Sequence, residues 1–130
     1  MAMYAFAVRI LPGKTETLKK YMQEIKSSRW DDFIRLRQNM GVHGAQFWLQ
    51  HTPNGDIGVV WLNVDNPVKF YEILMTSNDP FDMWFREKII MECQGVTPDT
   101  PMPNQNELIL DFTGQGQSAK TKTYEEVQKK

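Results

Sequence analysis

Two tryptophans and two amides stand at alternating positions in two neighbouring apolar segments, and together they could hold a flat small molecule. Gln46 and Trp48 lie in the first segment, and Trp61 and Asn63 lie in the second. Indole rings bind flat ligands by stacking, and amides fix a ligand's polar atoms by hydrogen bonding. Asp111, late in the chain, could add a carboxylate to such a site. The same tryptophans would also suit cross-strand packing or a subunit contact.

Few other side chains are placed for chemistry. Arg9 and Asp111 fall in the first and last predicted strands, where they would either bind a carboxylate or enolate or form an ion pair with each other. His43 and His51 lie in one predicted strand and would be about 26 Å apart at about 3.3 Å per residue, too far to share a metal ion. Cys93 is the single cysteine. We therefore predict neither a metal site, nor a cofactor, nor an internal disulfide.

Charge and composition exclude several classes of protein. The net charge of −1 argues against a general nucleic-acid-binding protein, which normally carries an excess of basic residues. No apolar run approaches the roughly 18 residues that a membrane helix needs, so we expect no membrane association. One cysteine in 130 residues is typical of a reducing compartment, and the sequence favours a cytoplasmic location.

Alternation of side chains predicts four β-strands. A strand buries every second residue, so apolar side chains recur with a period of two. The Asn54-Gly55 pair between the second and third segments is a strong signal for a β-hairpin. The predicted strands cover residues 3–11, 42–51, 57–64 and 107–113.

Helical spacing of apolar residues predicts two helical arms, at residues 15–40 and 67–94. The first arm is expected to break at Ser28, which with Asp31 has the form of a capping box. The second arm is expected to break at residues 77–78, before an Asp-Pro pair that suits a helix start. Each arm should therefore consist of two shorter helices.

The order β-α-β-β-α-β predicts an α+β fold, the ferredoxin-like arrangement with a four-stranded antiparallel sheet and both helical arms on one face. The domain should span residues 1–113, followed by a polar and disordered tail at 114–130. The sheet face opposite the helices is expected to carry large apolar groups, and burying one of these is worth about 1.5–3 kcal/mol. A homodimer whose two sheets pack face to face would cover this surface. The expected members are Phe6, Val8, Trp48, Val59, Trp61 and Ile109.

Several local sequences resemble those of the dimeric α+β barrel proteins, over roughly residues 3–113. The chain opens with a strand and turn, AFAVRILPGK, continues to a helix with MWFREKI, and closes with ELILDF. This superfamily includes antibiotic-biosynthesis-type monooxygenases, rhamnose mutarotases and stress-responsive barrel proteins. The last two segments are most similar to the mutarotase layout.

The resemblance implies a barrel that binds a small, partly apolar metabolite and acts as a cofactor-independent monooxygenase, with a lining drawn from Gln46, Trp48, Trp61, Asn63 and Asp111. A non-enzymatic, stress-related or ligand-binding dimer is one alternative. A mutarotase-like isomerase is another, in which Tyr21 would match a tyrosine of the first helix and Trp84 and Phe85 would stack on a sugar. The histidine that mutarotases use is absent, and Glu24 stands near its place.

Overall fold

The sheet contains three antiparallel strands in the computed structural model, which describes residues 2–112 and the backbone of residues 122–123. These strands are β1 (Ala2–Arg9), β2 (Val42–Thr52) and β3 (Gly55–Val64). Their order is β2-β3-β1, with β3 in the centre. The β2–β3 connection is a tight hairpin at the predicted place, and its two loop residues are Pro53 and Asn54, because Thr52 pairs with Gly55.

The strand register divides the sheet into a face covered by helices and an open face. Leu62 of β3 lies opposite Tyr4 of β1, and both are buried in the core. Trp61, the preceding residue, lies opposite Ala5, and these two side chains belong to the open face. The predicted placement of Trp48, Val59 and Trp61 on the sheet face opposite the helices is thereby confirmed. The placement of Phe6 and Val8 on the open face is wrong, since they alternate with Ala5 and pack against the helices.

Within the described part of the chain, four α-helices and one π-helix form the second layer. They are α1 (Thr15–Ser28), α2 (Trp30–Asn39), α3 (Pro67–Thr76), α4 (Pro80–Phe85) and the π-helix (Arg86–Cys93), which continues directly from α4. Both predicted breaks are confirmed, one between α1 and α2 and one between α3 and α4. Among the described residues, no helix combines the length and apolar character needed to cross a membrane.

Local capping explains where the second pair of helices begins. The Asn66 side chain accepts hydrogen bonds from the backbone N–H groups of Val68 and Lys69, and Asp79 does the same at the start of α4. These caps satisfy donors that have no partner inside a helix. The capping box predicted at Ser28 is wrong: its hydroxyl donates back to the Glu24 carbonyl at 3.2 Å, and α2 starts without a side-chain cap.

The predicted last strand at 107–113 is wrong for residues 107–112, which are irregular and exposed. The chain approaches the free edge of β1, where the N–H of Asn106 donates to the Ala5 carbonyl at 2.7 Å. The N–H of Ala5, however, donates to the Gln105 side chain at 3.2 Å. A regular strand pair needs both backbone groups, so the ladder stops there.

The N-terminal end of β1 has a different neighbour. Residues Lys122–Thr123 form the short strand β4, which pairs in parallel with Ala2 and Met3. The rest of the predicted polar tail, at 114–121 and 124–130, lies outside the described residues, as does Thr113.

Candidate ligand-binding cavity

A cavity of about 190 Å³ lies between the sheet and the helical layer. Its walls are built by the alternating strand residues that face the helices and by the apolar faces of α3, α4 and the π-helix. Leu, Ile, Val, Phe and Met side chains dominate the lining. Six of the central ones are Phe6, Phe47, Leu62, Phe70, Leu74 and Ile89.

Only four of the described lining residues carry a polar side chain: Arg37, Gln46, Tyr71 and Gln94. The Tyr71 hydroxyl donates to the Thr100 carbonyl at 2.7 Å, and burial raises its pKa. None of the described lining residues has a carboxyl or an imidazole group. The cavity therefore offers a mainly apolar surface with a single permanent charge, the Arg37 guanidinium.

The cavity opens at the edge of the sheet. β2 is an edge strand, and its residues Ala45 and Gln46 line the cavity while remaining exposed to solvent. Arg37 and Met40, in and just after the last turn of α2, line the cavity as well. A small molecule could enter here between α2 and β2 without displacing the buried core.

The guanidinium of Arg37 is incompletely paired at this opening. Its Nη2 donates to the Val42 carbonyl at 3.2 Å. Its Nε is fully buried and has no hydrogen-bond acceptor, and no carboxylate of the described residues lies within ion-pair distance. A buried donor on a charged group without an acceptor is energetically costly and therefore uncommon.

Of the residues predicted from the sequence, Trp48, Trp61 and Asn63 lie on the open face of the sheet. Trp48 is 61% exposed, and its indole N–H donates to Gln46 at 3.1 Å. The Trp61 ring lies over Gly44, where an added Cβ would be 3.3 Å from the ring. The Asn63 side-chain oxygen is buried without a partner. These residues form a surface on the opposite side of the sheet from the cavity.

Arg9 and Asp111 are not brought together. Arg9 ends β1 on the open face and is exposed, opposite Ile57. Asp111 is exposed in the irregular stretch where a strand was predicted. Within residues 2–112 no ion pair joins them, because the strand that would have placed Asp111 beside β1 does not form.

Tyr21 and Trp84 meet in a network between the helices. Their rings lie edge to face with centroids 5.8 Å apart. The Tyr21 hydroxyl donates to Glu92 of the π-helix at 3.0 Å, and Lys14 donates to the same carboxylate at 3.0 Å. Hydrogen bonds from Lys14 and then from Tyr21 lower the pKa of Glu92, whereas burial, followed by the bond to Glu92, raises the pKa of Tyr21.

This network continues to Arg29, which lies between α1 and α2. Its guanidinium stacks over Trp84 at 4.4 Å and pairs with Glu24 at 3.7 Å. Glu24, the residue near the position of the mutarotase histidine, is therefore engaged by Arg29. Phe85, next to Trp84, points elsewhere and lines the cavity.

The two histidines are held separately at the sheet surface. His43 bonds Asp65 at 2.8 Å, and His51 bonds Asp56 at 2.8 Å. Across the described residues, no three potential metal-ligating side chains are grouped together.

Of the nine residues singled out from the sequence, only Gln46 and Phe85 border the cavity, and the side chain of Gln46 lies on the open face, where it accepts the indole N–H of Trp48. Arg37 was missed. The sequence signal for Arg37 is its spacing. Phe33, Arg37 and Met40 share one face over two helical turns, and the arginine interrupts the apolar stripe on that face.

Comparison of the chain with protein-family models, with curated proteins and with solved structures gives no match.

Proposed function

We propose that this protein binds a small, largely apolar molecule in the cavity between its sheet and its helices. The observation that carries the proposal is the cavity itself, about 190 Å³ of space with an almost wholly apolar lining and an opening at the edge of β2. An apolar cavity of about 150 Å³ is known to accept benzene or xenon. The volume thus suits one aromatic ring with a small substituent or a short branched chain.

Binding is favoured over catalysis by the chemistry of the lining. A general acid or base must reach the reacting atom, and carboxyl, imidazole and amine groups usually fill this role. The described lining offers instead Arg37, which is always protonated, and Tyr71, whose hydroxyl is bonded to Thr100. A cofactor-independent, monooxygenase-like reaction is the enzymatic version of this proposal, and it would take place in the same cavity. Tyr21 and Trp84, on which a mutarotase-like reaction would depend, contact Glu92 and Arg29 instead.

The proposal includes a ferredoxin-like fold and a homodimer. The helices on one face and the strand order β2-β3-β1 support the fold. The open face supports the dimer: its strand residues include Trp48, Trp61, Val59 and Ile57, and Arg9 is the one charged residue at the fourteen positions that the register places there. Such depletion of charge with exposed aromatic groups is typical of the core of a protein interface. A second copy would present the same neutral surface and could pack against it around a two-fold axis.

Methionine-methyl NMR tests the binding site directly, because Met22, Met40 and Met75 line the cavity. Met3 lies on the open face and Met83 is exposed at the helical surface, so these two provide internal controls. We expect toluene to shift the methyl resonances of the three lining methionines in a saturable manner. Shifts at Met3 or Met83 alone would place binding elsewhere and contradict the proposal.

A variant at the opening sharpens this experiment. Ala45→Trp should block the entrance without overfilling the core, because Ala45 is exposed on an edge strand and aromatic residues suit strands. We expect it to abolish or strongly weaken the toluene shifts, whereas Ala45→Ser, which keeps the side chain small, should bind as the parent does. Equal binding by the parent and both variants would refute the proposed entrance.

A further inference from the structure

We infer that the molecule bound in the cavity carries a single carboxylate group, which pairs with Arg37 at the opening. The inference rests on the proposed binding function and adds the chemical class of the ligand. Its basis is a juxtaposition: Arg37, which forms no ion pair with another described residue, lines an otherwise apolar cavity of about 190 Å³.

The geometry of the guanidinium suits an anion with two oxygens. The two Nη nitrogens form the end of the planar group, and this end matches a carboxylate through two parallel hydrogen bonds. In Arg37 the Nη2 nitrogen already donates one proton to the Val42 carbonyl at 3.2 Å, which fixes the orientation of the group. Nη2 has a second proton to donate, and Nη1 forms no hydrogen bond with another described residue, whereas Nε is buried too deeply for an oxygen to reach it.

The charge balance favours a carboxylate over a phosphate. The other polar groups of the described lining, Gln46, Tyr71 and Gln94, are neutral at pH 7, so Arg37 supplies one positive charge. A monoanion would neutralise it, whereas a dianion would leave one negative charge without a partner in apolar surroundings, which is costly. The remaining lining would hold the apolar body of the acid.

A purely structural role for Arg37 predicts different behaviour. Arg37 lies in the last turn of α2, where a cation interacts favourably with the helix carbonyls, and its bond to Val42 joins α2 to β2. A structural arginine should affect stability but should not distinguish a charged ligand from a neutral ligand of the same shape.

The test compares toluene, benzyl alcohol and benzoate in the same methionine-methyl titration at pH 7. We expect benzoate to bind at least about tenfold more tightly than benzyl alcohol, as one hydrogen-bonded charge pair would give. Raising the salt concentration should affect benzoate and leave toluene nearly unchanged. Benzoate binding no more tightly than benzyl alcohol would overturn the inference while leaving the binding function intact. No saturable shift with any of the three compounds would instead overturn the binding function itself.

Variants assign the preference to Arg37. Arg37→Met should lose the preference for benzoate over benzyl alcohol, and Arg37→Lys should keep part of the preference. Arg35→Met is the matched control, since Arg35 lies on the same helix but is exposed and pairs with Asp32 and Asp79. Retention of the benzoate preference in a folded Arg37→Met protein would contradict the inference. Should that variant fail to fold, the comparison of the three ligands on the parent protein decides the question.

Discussion

The ring of Phe47 lies so close to Gly58 that a side-chain atom at residue 58 would have no room. A Cβ placed on Gly58 would be 2.7 Å from Cζ of Phe47 and 3.2 Å from a methyl carbon of Val8. Gly58 is buried in β3, and Phe47 forms part of the cavity wall. The missing side chain at residue 58 therefore leaves the space that the Phe47 ring occupies in the cavity wall.

Gly58→Ala should destabilise the protein and reduce the space in the cavity. We expect a loss of roughly 1–3 kcal/mol in the free energy of unfolding, which is typical of overpacking in a core, because the Phe47 ring must move. Chemical denaturation measures this loss, and toluene titration should show weaker binding. Gly44→Ala is the control: its Cβ would approach Trp61 at 3.3 Å on the open face, so it should cost less and leave toluene binding unchanged. Equal effects of the two variants on toluene binding would contradict this description of the wall.

Glu92→Gln should remove a contribution to stability that depends on pH. The pKa of Glu92 is lowered in the folded protein by hydrogen bonds from Lys14 and Tyr21. A carboxyl with a lowered pKa stabilises the fold fully above its ordinary pKa, about 4.3, and loses this effect as pH falls through the folded value. The variant should therefore be less stable than the parent at pH 7, and the difference should shrink below about pH 4.3.

Thermal unfolding from pH 7 to pH 3 measures that difference. Glu72→Gln is the control, since Glu72 is exposed and forms no ion pair within the described chain. It should follow the parent at every pH. A stability difference between Glu92→Gln and the parent that does not change with pH would show that the Glu92 network does not act through its charge.

Trp48→Asp should separate the proposed dimer into monomers. It introduces a charge beside Val59 on the open face, and burying that charge without a partner would be unfavourable. Light scattering at micromolar concentration should give twice the chain mass of 15.2 kDa for the parent and a single chain mass for the variant. Trp30→Asp is the control, because Trp30 is also exposed, at 49%, but lies on α2 in the helical layer. A parent protein with the mass of one chain would refute the dimer.

Local signals in the sequence predicted most of the fold. The hairpin follows from Asn54-Gly55, and the break between α3 and α4 follows from Asp79-Pro80, because each pair acts on its own neighbours in the chain. The last strand failed for a non-local reason. Residues 107–112 alternate as a strand should, but the side chain of Gln105 takes the N–H of Ala5 that a paired strand would need. No local pattern reveals that competition.

Sequence patterns could not predict the cavity, because it depends on how several elements pack together. Alternation correctly placed Trp48 and Trp61 on one face but could not tell which face of the sheet would border a cavity. The π-helix likewise gives no distinct periodic signal in a stretch of eight residues, although it places Ile89 and Ile90 in the cavity wall and Glu92 beside Tyr21. Arg37 became notable only when its buried Nε was seen without an acceptor.

Diffraction from a crystal pressurised with xenon tests the central claim most directly, because xenon needs no chemical recognition and enters apolar cavities of this size. We expect a xenon peak between the sheet and the helices, in contact with Phe47, Leu74 and Ile89, with little movement of these side chains. The Ala45→Trp variant should show a weaker peak. Xenon bound only on the open face near Trp48, or no xenon between the two layers, would contradict the claim that this protein has a cavity for a small apolar ligand.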